Sequence, residues 1–318
     1  MYNEPIFLEP VFKERIWGGQ KLKQQFGYNI PYERTGEAWV ISAHPNGPSI
    51  ITNGALKNKT LADAWNDHGE LFNRTSNTGE AFPLLVKILD AADDLSVQVH
   101  PDDTYAREVE SQPYGKTECW YVLSAEKDAE IIFGHHANSK EEFKQMVSNG
   151  DWDSLLRRVK VKTGDFVYVP SGTIHAIGKG IVILETQQSS DITYRVYDYD
   201  RKDVEGNGRE LHLDSAIDVS NVPHETMDIA QTEEVKQGLL SKKLVQETYF
   251  TVFHWQLKGE VTQQLNSDFL QISVVSGSAH ITIHDKSFPI KKGEHFILPA
   301  SIKEFKLTGD AEFIVSHP

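Results

Sequence analysis

Two short blocks of this chain carry side chains whose types and spacing could hold a metal ion. One is Gln98-Val99-His100-Pro101-Asp102-Asp103, followed by Gly115-Lys116-Thr117-Glu118-Cys119-Trp120-Tyr121. The other is Gly164-Asp165-Phe166-Val167-Tyr168-Val169-Pro170-Ser171-Gly172-Thr173-Ile174-His175. Gln98 and His100 stand two apart in a β-like run, so their side chains leave the same face. If Glu118 and His175 come from neighbouring strands facing the same interior, the four make a nitrogen–oxygen ligand set for a divalent metal. Two imidazoles, a carboxylate and a neutral amide oxygen suit zinc better than an iron–sulfur cluster or calcium. Chemistry of that kind polarises an oxygen-rich substrate.

The elements that must position these residues are short β-type segments broken by Gly, Pro, Asn and Asp. Examples are Ala38–Ser42, Leu84–Leu89, Leu95–Val99, Trp120–Leu123, Phe166–Val169 and Ile181–Leu184. Many short strands at such spacing predict an antiparallel sandwich or barrel. Helical patterns are fewer. Thr60-Leu61-Ala62-Asp63 opens one with a capping-box pattern, Ser139-Lys140-Glu141-Glu142 opens a second, and Asp102 to Glu110 forms a short third. After Asp218 the texture loosens, and the acidic, helix-favouring run to Gly238 reads as a connection. Strands resume from Lys243.

Lys292-Gly293-Glu294-His295-Phe296-Ile297-Leu298-Pro299-Ala300 echoes Thr163-Gly164-Asp165-Phe166-Val167-Tyr168-Val169-Pro170-Ser171. Each is a turn followed by a strand that ends at proline, which predicts an internal repeat of two related barrels. The repeat places Glu304 where the first copy has His175, so the second barrel is expected to lack the metal. The expected division is residues 1–235 for the metal-bearing domain and 240–318 for the second barrel. Helical pieces at about 59–80 and 102–158 interrupt the first.

The 318 residues suffice for a substantial core. Their net charge of −14 argues against nucleic acid, which is bound by clustered Lys and Arg at its phosphates. A small anionic substrate stays possible, because a few local cations outweigh the global field inside a cleft. One cysteine, Cys119, allows no intramolecular disulfide and fits a reducing compartment. The N-terminus lacks the basic and apolar regions of a signal peptide, and no apolar run reaches the roughly 18 residues needed to span a bilayer. The expectation is a cytoplasmic protein without a membrane partner.

Gly-Asp-x-x-x-x-Pro-x-Gly-x-x-His resembles the second motif of cupins, small double-stranded β-helix barrels with a metal inside. Together with Gln98–Asp102, Lys116-Thr117-Glu118 and Gln187-Gln188-Ser189-Ser190-Asp191-Ile192-Thr193-Tyr194-Arg195, the pattern is similar to type I mannose-6-phosphate isomerases of the short bacterial form. The likeness runs from Pro10 and Arg15-Ile16-Trp17-Gly18-Gly19 through Glu37-Ala38-Trp39 to about Arg201, and more weakly through the second barrel. It implies a mainly β fold of two jelly-roll-like cupin barrels with a small helical region inserted in the first. It also implies one zinc ion per chain on Gln98, His100, Glu118 and His175, an active-site arginine at Arg195, and a pocket lysine at Lys116. Larger relatives carry a long helical insertion where this chain has only Ala125 to Val159, a departure that does not touch the implied ligands.

Interconversion of a 6-phospho aldose and ketose moves a proton between C1 and C2 through an enediol and needs an acid/base group. Glu185 and Asp191 are candidates, without a choice between them. Lys116 and Arg195, then Arg201 and Lys202, are the candidate phosphate cations. Trp17, beside Gly18-Gly19, is the better sugar-facing aromatic, and Trp39 reads as core. Asp102-Asp103 reads as a helix cap and His135-His136 as a solvent-exposed turn. The competing functions are a cupin oxygenase, a cupin acting on another sugar, and a metal-stabilised sugar-binding bicupin without catalysis. Either a monomer or a homodimer is compatible.

Overall fold

The computed structural model describes residues 2–202 and 206–318. Among the described residues strands dominate, arranged in three antiparallel sheets. The first two face each other and enclose the first barrel. One is six-stranded, in the spatial order Phe166–Val169, Glu118–Ala125, Ile181–Gln188, Leu84–Ala91, Thr35–Ile41, Val11–Gly19. The other is five-stranded, in the order Tyr194–Tyr197, Val97–Val99, His175–Ile177, Glu130–His135, Leu156–Lys160. Ile181–Gln188 and Leu84–Ala91 lie at the centre and are buried on both faces. That explains their near-continuous apolar sequences.

The expected helices form, and their caps explain where they start. Thr60 accepts a hydrogen bond from Asp63 N while Asp63 accepts from Thr60 N, a reciprocal box opening Leu61–Asp67. Asp102 caps Asp103–Glu108 through Tyr105 N, and Ser139 caps Lys140–Asn149 through Glu142 N. Two elements depart from the sequence reading. Leu213–Val219 is a helix, and the acidic run ending at Gly238 contains a strand, Thr232–Lys236, paired with Leu239–Gln246. The pairing overrides the helix-favouring composition, because the Gln237-Gly238 turn, with Gln237 at φ 52°, folds the segment into a hairpin.

The second barrel is built on the long strands Thr251–Gln264, Leu270–Ile283 and Glu304–His317. Its repeat relation to the first is visible in backbone detail. Gly164 N donates to Val122 O at φ +89°, and Gly293 N donates to Val274 O at φ +88°. Asp165 accepts from Lys162 N and Glu294 from Lys291 N in the same turn. The division expected near 235–240 is crossed by the start of the chain. Ile6–Glu9 pairs with His295–Leu298 of the second barrel and carries Ile50–Ile51 on its other edge. One apolar cluster accordingly joins Ile6 and Leu8 to Val245, Phe250 and Ile314.

Candidate functional site

The two sheets of the first barrel present their polar residues to each other. Gln98 pairs directly with His175 on one side and Arg195 on the other, so the three form a row across the five-stranded sheet. His100 lies one residue beyond Val97–Val99. Glu118 opens its strand on the facing sheet. The four residues singled out for a metal thus come together between the layers, and His100, Glu118 and His175 are fully buried. Donor atoms of these three all lie within 4.8 Å of one another. Gln98 Nε2 is 3.4 Å from His175 Nε2, and turning the amide over would present its oxygen instead.

The imidazoles are held in the ligating tautomer. Nδ1 of His100 donates to Ile192 O and Nδ1 of His175 to Thr173 O, both at 2.8 Å. A carbonyl can only accept, so the protons sit on Nδ1 and the Nε2 lone pairs face the cluster. Burial keeps both rings neutral: His100 falls well below the usual histidine range, and His175 to about 4. Glu118 lies 3.4 Å from His175 Nε2 and 3.6 Å from His100 Nε2, and its Oε1 accepts from Trp120 Nε1. Lys116 places its ammonium on Glu118 Oε2 and 3.0 Å from His100 Nε2. Burial works against that charge, but Glu118 and Glu185 outweigh it and raise the lysine pKa. A cation therefore already fits among these donors, and the set suits a divalent metal.

Beside the cluster opens a cavity of about 520 Å³. Gln98, Lys116, Glu185, Asp191, Arg195 and Trp17 all line it, as do Lys13, Arg15, Glu37, Trp39, Lys87 and Arg209. Trp39, Lys87, Glu185 and Trp120 occupy one row across the six-stranded sheet, because Lys87 pairs with both Trp39 and Glu185, and Glu185 with Trp120. The Glu185 carboxyl is fully buried, 3.4 Å from Lys87 Nζ, and one of its oxygens has no hydrogen-bond partner. Burial first, then the charge of Glu118, raises its pKa. Glu37 shows the opposite outcome. Burial alone would raise it, but Lys87 and Arg15 bring it down to about 2. Asp191 sits at the half-exposed rim, where Asn46 Nδ2 donates to it at 2.5 Å and His44 lies 3.6 Å away.

The other candidates are placed elsewhere. Arg201 donates to Asp94 O and Asp198 Oδ1, both at 2.6 Å, and Lys202 is exposed in a bridge with Gly208. Neither lines the cavity. Arg209 does, with its Nε donating to Asp198 Oδ2 at 2.8 Å. Trp39 is a cavity wall as well as a core residue. His135 is a correction: it is buried at a strand end, its Nε2 donating to Asn221 O, and only His136 is exposed. Asp102 caps its helix as expected, while Asp103 accepts from Gly115 N and Gln188 Nε2 and so braces the loop before Lys116.

The sequence reading missed Lys13, Arg15, Lys87 and Arg209. Lys87 and Glu37 carried a signal, since each is a charged residue in a fully buried strand, Glu37 alone and Lys87 with Asp90. Arg209 carried none.

Comparison with known proteins agrees with this geometry. Residues 6–129 match the family described as Phosphomannose isomerase type I, catalytic domain, and residues 241–318 match Mannose-6-phosphate isomerase, cupin domain. Over 317 residues the chain is 54% identical to Mannose-6-phosphate isomerase ManA of Bacillus subtilis, covering 100% of both chains. It is 52% identical to the mannose-6-phosphate isomerase of Streptococcus mutans, covering 99% of this chain and 98% of that one. A crystal structure of the mannose 6-phosphate isomerase from Bacillus subtilis superposes with a TM-score of 0.96 at 52% identity, covering 99% of each chain. With the cupin barrels, the buried donor cluster and these full-length matches in agreement, the chain belongs to the type I phosphomannose isomerase family.

Proposed function

We propose that this chain is a zinc-dependent isomerase interconverting mannose 6-phosphate and fructose 6-phosphate by proton transfer through an enediol. The observation that carries the reading is a buried His–Glu–His cluster bordered, through Gln98 and Lys116, by a cavity that a buried carboxyl and several cations line. Gln98, His100, Glu118 and His175 are the metal ligands. Zinc bound there supplies a Lewis acid that polarises the sugar oxygens and favours the charge developing as a proton leaves C1 or C2.

The chain's own residues divide the remaining work. Glu185 is the proton-transfer group: its raised pKa brings it toward the range where a carboxyl both takes and returns a proton near neutral pH. Lys116 stabilises negative charge beside the ligands. Arg195 and Arg209 bind the phosphate, and their closeness is felt in Arg195, whose pKa is lowered by burial and then by Arg209. Asp191 steadies the Asn46 side of the rim. Trp17 and Trp39 exclude water from the reacting carbons.

The test is a coupled assay of mannose 6-phosphate turnover on purified protein, with and without a chelator. Activity should vanish on metal removal and return with zinc. Full turnover by metal-free protein would sink the metal role, and no turnover by zinc-loaded protein would sink the isomerase assignment.

A further inference from the structure

The repeat relation between the barrels extends to the metal site itself. In the first barrel His175 pairs with Gln98, and Val169, just before Pro170, pairs with Glu118. In the second, Glu304 pairs with Gln264, and Leu298, just before Pro299, pairs with Leu270. Gln264 therefore stands where Gln98 stands, Asn266 follows it by the two positions that separate His100 from Gln98, Leu270 replaces Glu118, and Glu304 replaces His175. Both imidazoles and the strand carboxylate are gone. Unlike the buried His100 and His175, Gln264, Asn266 and Glu304 are exposed. Gln264, Asn266 and Leu270 line an open cavity of about 340 Å³, together with Phe253, Trp255 and Gln263.

The geometry points to a second small-molecule site, and we propose that it binds a neutral, hydroxyl-rich carbohydrate such as an unphosphorylated hexose. Three carboxamides offer donor and acceptor together, the pattern that pairs with sugar hydroxyls. Gln264 is oriented by donating to Glu304 Oε2 at 2.6 Å, so the histidine replacement has become a brace for an amide. Phe253 and Trp255 supply rings against which the C–H face of a pyranose can pack. The volume lies at the small end of ligand cavities, about 300–1,000 Å³. Charge separates this site from the first. The first cavity gathers Lys13, Arg15, Lys87, Arg195 and Arg209, whereas here Lys236 is balanced by Glu234, so nothing selects a phosphate.

Calorimetric titration of the purified full-length protein with methyl α-D-mannopyranoside and with D-fructose tests the site. The titration is run with a saturating equilibrium mixture of phosphosugars that fills the first cavity. At least one probe should still bind. A Gln264→Ala/Asn266→Ala variant, altered only at exposed positions, should bind about tenfold more weakly or not at all, with unchanged isomerase rate and thermal transition. The proposal is overturned if neither probe binds, if the phosphosugars abolish binding, or if the double variant binds as the parent does.

Discussion

At the scale of single residues, the site turns on two kinds of buried side chain: those kept ready to ligate and one kept ready to change charge. His175→Ala removes a donor and Glu118→Gln removes the carboxylate charge from a cluster whose histidines are oriented by backbone carbonyls. Each should lower bound zinc, measured by elemental analysis, and cut turnover at least about a hundredfold, while circular dichroism stays that of the parent. Glu185 makes a separate prediction. A carboxyl must be ionised to accept a proton, so kcat should fall as pH drops through its raised pKa. Glu185→Gln should remove that acidic limb and lower kcat by about 10²–10⁴-fold with KM little changed. An unaltered pH–rate profile in the variant would assign the proton transfer to another group.

At the scale of elements, two supports behind the site are open to test. Gly115 passes so close to the preceding loop that a Cβ there would sit 2.3 Å from Asp102 C and 2.5 Å from Pro101 O, both backbone atoms. Gly115→Ala should therefore destabilise the fold by about 1–3 kcal/mol in denaturant melts and displace Lys116, whose own N–H donates to Pro101 O. Asp198 holds Arg209 and Arg201 at once, both guanidiniums lying within 2.6 Å of its Oδ1. Asp198→Asn should raise KM for the phosphosugar several-fold while kcat changes less, because it loosens binding of a group remote from the reacting carbons. These supports mark how far the sequence could be read. Gln98 and His100 were legible from period-two alternation, and His175 from the spacing of its turn, strand and proline. Lys13, Arg15 and Arg209 were not, because they reach the cavity only through strand pairings and loop returns between distant segments. Nor was the Thr232–Lys236 strand, whose residues favour a helix until the hairpin partner is present.

At the scale of the whole molecule, His295 ties the two ends of the chain together. It is fully buried, with Nδ1 at 2.8 Å from Ser273 Oγ in the second barrel and Nε2 at 2.6 Å from Tyr28 OH near the chain start. Burial lowers its pKa from the usual 6.5 to about 3. Between those values the unfolded chain binds the proton and the folded chain does not. Its contribution to stability is thus fully present above pH 6.5 and is lost as pH falls toward 3, at up to about 1.4 kcal/mol per pH unit. Urea midpoints measured across that window should decline more steeply for the parent than for His295→Gln; equal slopes would show that the ring does not stay neutral. The pairing of Ile6–Glu9 with His295–Leu298 carries a further consequence, one of time. A ribosome adding roughly 5–20 residues per second delivers Ile297 some 15–60 s after Ile6. Throughout that interval the edge of Ile6, Phe7 and Leu8 that pairs with His295–Ile297 stays open, even after Ile50–Ile51 has covered the other edge. Nascent chains of this protein should thus be chaperone clients until translation is nearly complete, and stop codons placed before residue 295 should yield aggregates rather than a soluble first barrel.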